Sequence, residues 1–245
     1  MNPPTTGHKL LIQSMIEHAI ANGQSRVYII LTGTKDNQRN PLDCNYKRYL
    51  VQQMVDQIKL ELGIDIEVII ICSTDKPIQD MFGNSSVISA TNYLHSLHKP
   101  TKGNMIMFLG NDRRGDFDWL QSEKFKISFV YLGRPEGAMS ATKVRGLALS
   151  ETPDDRVKYQ SIMSDTGISP VDIANIQREI VAARERVLSE SAKKSSMSAK
   201  KKKQPTAKHK GAERKPTNIR GGGRKTKRNK QRNKRSRKNK CLTRR

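Results

Sequence analysis

Four apolar runs constrain this chain more than anything else in it. RVYIILT (26–32), IEVIIIC (66–72), NMIMFLG (104–110) and KISFVYL (126–132) lack the every-other polar residue of a strand with one face in water. A strand buried on both faces reads this way, and such strands belong to parallel sheets covered by helices. The stretches between them carry helical spacing. Leu11, Met15, Ala19 and Ile20 share one face, and Gly23 follows as a stop. Leu50, Met54, Val55 and Ile58 share another, with Asp43 as a candidate cap and Gly63 as the end. The pattern predicts helices over about 7–22, from Asp43 to Gly63, over 86–98, from Ser140, over about 154–165 and over 170–190. The last opens Ser169-Pro170-Val171-Asp172: an N-cap, proline at the first helical position, and an acid in the first turn. Strands alternating with helices define an α/β domain with a doubly wound parallel sheet. Ligands of such sheets bind beyond the carboxyl ends of the strands, at the topological switch point.

Charge divides the chain. Residues 1–190 carry 22 basic and 22 acidic side chains; residues 191–245 carry 24 basic side chains and one acid, Glu213. The whole net charge of +23 therefore belongs to the tail. That tail holds almost no large apolar side chain to offset its ordering entropy, so it is expected to be disordered. The folded domain is expected over 1–190, closed by C-terminal helices at about 154–190. The three cysteines, Cys44, Cys72 and Cys241, are widely spaced and odd in number. This spacing argues against a disulfide framework and a zinc site, and fits a reducing compartment. No secretory signal and no membrane-spanning run is visible, so an intracellular location (cytoplasm, nucleus or virion) is expected, without membrane partners.

Two stretches bear chemistry. In Asn2-Pro3-Pro4-Thr5-Thr6-Gly7-His8 two prolines stiffen a turn, Gly7 permits close approach to the backbone, and His8 lies in the first turn of a helix. Free N–H groups and the helix dipole there attract anions, phosphate above all. In Met139-Ser140-Ala141-Thr142-Lys143-Val144-Arg145 a prospective N-cap, a hydroxyl in the first turn and an arginine on the same face make a second anion site. Taken singly, the first stretch also fits a plain N-terminal turn, and the second an ordinary capped helix with a solvated arginine.

Together, in this order on one α/β sheet, they resemble the cytidylyltransferase-like nucleotidylyltransferases, the HxGH superfamily. Thr5-Thr6-Gly7-His8 matches that family's (H/T)xGH signature. Met139–Arg145 matches ISxTxxR, with Met in place of Ile. Asn40-Pro41-Leu42 and Gly110-Asn111-Asp112-Arg113 resemble the phage and large-DNA-virus branch. The resemblance covers residues 1 to about 165. It implies a Rossmann-like sheet and transfer of AMP or CMP from a nucleoside triphosphate to a phosphorylated acceptor, releasing pyrophosphate. His8 and Thr5 would meet the α- and β-phosphates, with Gly7 beside them. Ser140, Thr142, Lys143 and Arg145 would hold the leaving phosphates. Asp112 would contact the nucleotide or a metal, and Asn40 and Lys35 would face the acceptor. Mg²⁺ or another divalent cation would bridge phosphate oxygens; no protein ligand for it stands out.

In this family the (H/T)xGH turn follows the first, central strand of the sheet, and no such strand precedes Asn2 in this sequence. Either the true start lies upstream of Met1, which is the expectation favoured, or the protein is a real short form with a damaged core. Within residues 1–245, strands 26–32 and 104–110 should fail to pair normally, and His8 should sit on a poorly anchored N-terminus. The tail supports an alternative. A basic segment without Phe, Tyr or Trp binds nucleic acid through phosphates and without base stacking, so 191–245 is a candidate for nonspecific nucleic-acid contact or for a targeting signal. On that reading the protein is a non-catalytic, nucleic-acid-binding or virion-associated descendant of the same fold.

Overall fold

A computed structural model describes residues 2–36, 39–83, 86–98, 105–121, 127–133 and 139–202. The apolar runs are its strands. β1 (Arg26–Leu31) lies parallel to β2 (Glu67–Cys72), with Val27 opposite Val68 and Leu31 opposite Cys72. β3 (Met105–Gly110) lies parallel to β4 (Ile127–Leu132), with Met105 opposite Ile127 and Gly110 opposite Leu132. The domain is mixed α/β, and its described strands form two separate parallel ribbons; no ladder joins β1 to β3. The failure of these two strands to pair agrees with the sequence reading.

Helix α1 (Thr6–Ala21) reaches both ribbons. Its Ile12, Ile16 and Ala19 enter a core with Val27, Ile29 and Leu31 of β1. Further along, the His18 ring stands edge-on to Phe108 of β3, 5.1 Å between centroids. Helix α2 (Cys44–Leu62) starts at Asp43, whose carboxylate accepts the Tyr46 amide at 2.9 Å, and ends at Gly63 with φ +63°. Only a residue without a Cβ adopts that left-handed cap freely. One face of α2, Val51, Val55 and Ile58, joins the β1–β2 core. The other, Leu50 and Met54, joins a second core built from α5 (Ala141–Ala148), α6 (Pro153–Ser164) and α7 (Pro170–Lys202). Burial on both sides makes α2 the axis of the domain. Polar contacts lock α7 to it: the Asp172 carboxylate accepts from Gln53 Nε2 at 2.8 Å and the Tyr49 hydroxyl at 3.2 Å, both of α2, and from Ser169 Oγ, just ahead of α7, at 2.6 Å. Burial opposes the Asp172 charge, but these hydrogen bonds outweigh it and leave its pKa lowered.

Three readings of the sequence are corrected. Cys44 and Cys72 form a disulfide, with Cα atoms 6.0 Å apart. The α2 crossover returns β2 alongside β1, so cysteines 28 apart in sequence meet at one end of the ribbon. The spacing argument for a reducing compartment falls with it. Next, α7 continues to Lys202, so residues 191–202 are helical and the compact unit ends there. The rest of the basic tail, 203–245, lies outside the described residues. Finally, a short helix α3 (Lys76–Phe82) precedes α4 (Val87–His98), where no helix was expected. Among the described residues no helix is long and apolar enough to cross a membrane.

Candidate functional site

Three segments far apart in sequence meet beyond the carboxyl ends of the strands: the turn Asn2–His8, the loop between β1 and α2, and the start of α5. Asn2 ties the first to the second. Its Nδ2 donates to the Leu42 carbonyl at 3.2 Å, and its Oδ1 accepts the Leu42 amide at 3.2 Å. Arg145 ties the first to the third, donating from Nη1 to the Asn2 carbonyl at 2.6 Å and from Nη2 to Thr142 Oγ1 at 3.2 Å. Asn2 and Thr5 are buried, at 5% and 2% exposure. The N-terminal turn is thus firmly held, against the expectation of a poorly anchored His8.

Thr5 is the N-cap of α1, and His8 folds back onto it. His8 Nδ1 lies 3.1 Å from the Thr5 amide and 2.8 Å from Thr5 Oγ1. An amide N–H only donates, so Nδ1 is the acceptor and the neutral ring carries its proton on Nε2. Gly7, half-buried, completes the first turn. Ser140 caps α5 by accepting the Lys143 amide at 3.2 Å. Thr142 and Lys143 are exposed on the first turn. The first turns of α1 and α5 contain no acid, whereas α6 opens with Asp154 and Asp155 and α7 carries Asp172. The helices that start at this cluster leave their positive ends without a carboxylate of their own in the first turn, as α4 also does, while α3 and α2 are capped by Asp75 and Asp43.

The loop after β1 supplies the opposite charge. Asp36 Oδ1 accepts the Arg39 amide at 2.5 Å and the Asn40 amide at 3.2 Å, and Oδ2 accepts Asn40 Nδ2 at 2.6 Å. Burial lowers the Arg145 pKa, Asp36 opposes that shift and Arg39 adds to it. The ordinary value is high enough that Arg145 stays cationic. The loop's exit from the ribbon needs a glycine: a Cβ on Gly33 would lie 2.0 Å from Thr74 Cγ2, and the Gly33 amide donates to Ser73 Oγ at 2.8 Å.

The remaining candidates are dispersed. Lys35 is exposed and pairs with Asp43 at 3.9 Å, a contact of about 0–1 kcal/mol that leaves its amine available to a ligand. Asn40 is turned into the Asp36 ring of hydrogen bonds. Asp112 stands at the end of β3 and folds back over Gly110, where a Cβ would come within 2.5 Å of its Oδ1. Sequence reasoning missed Asn2, Asp36 and Arg39. The spacing Asp36-x-x-x-Asn40-Pro41, an acid able to accept backbone amides just before a proline, was a readable signal for the loop. Asn2 had none, because its partners are 40 and 143 positions away. The chain matches no protein-family model, no curated protein and no solved structure.

Proposed function

We propose that this cluster binds the triphosphate of a nucleotide, and that the protein is a nucleotidylyltransferase moving AMP or CMP onto a phosphorylated acceptor with release of pyrophosphate. The observation that carries the reading is the Arg145–Asn2 hydrogen bond. It joins the two stretches singled out for phosphate chemistry, and neither needed to lie near the other. Two helix N-termini, an arginine held by two hydrogen bonds and the His8 Nε2–H then serve one anion. Such a reaction needs no covalent intermediate, only in-line positioning and donors at the phosphoryl oxygens. In this reading the two ribbons are the halves of one Rossmann-like doubly wound sheet, interrupted between β1 and β3. Asp36, the carboxylate that Arg145 senses, is already engaged by amides, so Mg²⁺ would be carried mainly on phosphate oxygens, its usual mode with nucleotides.

The test is incubation with ATP or CTP, Mg²⁺ and a panel of phosphorylated acceptors, following pyrophosphate. Acceptor-dependent release is expected. His8→Ala and Arg145→Ala should each reduce it by about two orders of magnitude, the usual scale for a lost charge-stabilising donor. No release with any acceptor would favour the second reading, a nucleic-acid-binding protein acting through its tail, for which the net charge of +23 speaks.

A further inference from the structure

The geometry points to Asn2 as the positioning residue of the anion site, acting on phosphate through Arg145 rather than touching it. The inference rests on the triphosphate reading above. An arginine on the exposed first turns of a helix has long, freely rotating arms. Arg145 is instead fixed by two bonds, to Thr142 Oγ1 on its own helix and to the Asn2 carbonyl across the cluster. Two bonds orient the guanidinium plane and leave its other N–H donors for a ligand. The Asn2 carbonyl can serve only if it is itself immobile. Its side chain provides this, meeting both the amide and the carbonyl of Leu42 as a neighbouring strand would. Leu42 in turn is 1% exposed and belongs to the helical core. Asn2 thus passes the rigidity of that core to Arg145. Asparagine suits the position because one small side chain offers both a donor and an acceptor. Aspartate would offer no donor to the Leu42 carbonyl, and serine would reach one Leu42 group rather than two.

The experiment titrates tripolyphosphate into the full chain by calorimetry, for the unmutated protein, Asn2→Ala, Arg145→Ala and the double variant, with circular dichroism confirming the fold. Asn2→Ala should weaken binding about 10-fold and Arg145→Ala about 100-fold. The double variant should match Arg145→Ala alone, because residues that act through one another are non-additive. Should Asn2→Ala fail to fold, Asn2→Ser, which keeps one bond to Leu42, takes its place in the cycle with a smaller loss. Losses that multiply in the double variant would mean that Asn2 acts independently of Arg145, and would overturn the inference. So would unaltered binding by Asn2→Ala. If the unmutated chain binds no tripolyphosphate, or Arg145→Ala binds as well as it does, the triphosphate reading fails first and this inference with it.

Discussion

Lys47 is the least expected residue in the interior. It lies on the buried stripe of α2, three positions before Leu50, and is 1% exposed. Its amine donates to the Thr32 carbonyl at 2.5 Å, holding the chain where it leaves β1 for the site loop. Burial lowers its pKa, with Asp43 opposing. The consequence for stability has a definite sign. Between the lowered folded pKa and the ordinary lysine value of about 10.4, the unfolded chain holds a proton that the folded chain has released, so stability rises with pH across that interval. Lys47→Met removes the effect. Denaturant unfolding at several pH values from about 8 to 10, below the ordinary tyrosine range, should show the unmutated protein gaining stability relative to Lys47→Met as pH rises. A difference that stays flat would mean the amine keeps its charge inside the fold. At the same scale the sequence was half informative. Thr5, His8, Thr142 and Arg145 were readable because each sits in a short motif whose geometry is local. Asn2 and Lys47 were not, since an asparagine and a lysine announce neither burial nor a distant carbonyl partner.

Elements were more legible than their assembly. The strands were found because apolar runs carry their own signature. α2 was found because a capping acid, a periodic face and a terminal glycine agree. α3 escaped because a seven-residue helix has no period to detect, although Asp75 ahead of Pro77 was a cap signal. The disulfide escaped for a different reason: it depends on a crossover bringing β2 beside β1, and no cysteine spacing encodes that. It staples the first residue of α2 to the last residue of β2, next to Leu42 and the site loop. Closing a loop of 28 residues should stabilise the fold by roughly 3–4 kcal/mol by the chain-entropy estimate. Excess dithiol should therefore lower the unfolding free energy by that order. Thiol titration of the denatured chain should find one thiol, Cys241, before reduction and all three after it. Three titratable thiols in the unreduced chain would show that the pair does not bond in solution.

Across the whole molecule charge is sorted by position, and under the proposed function the two parts take separate tasks. Residues 1–202 carry 27 basic side chains against 22 acids, while residues 203–245 carry 19 against Glu213 alone. The near-balanced part contains the site, whose cations are few and individually placed; the remainder concentrates its cations without aromatic residues to stack on bases. Such a segment binds by releasing counterions, so affinity should track phosphate density and salt rather than sequence. The end of α7 at Lys202 gives the place to cut. A chain ending there keeps the disulfide, the Asp172 lock and every residue of the anion cluster. Full-length protein should bind single- and double-stranded DNA of unrelated sequence alike. If six to ten phosphates are neutralised, that affinity should fall by about 10³–10⁵ between 50 and 200 mM salt. The 1–202 chain should lose the binding at physiological salt, and its pyrophosphate release should equal that of the full chain. Fluorescence anisotropy across a salt series, beside the same pyrophosphate assay, measures both. A shallow salt slope, or binding that survives truncation, would move the nucleic-acid contact onto the folded part. Release that disappears on truncation would make the tail part of the catalytic protein, and the division of tasks along the chain would be wrong.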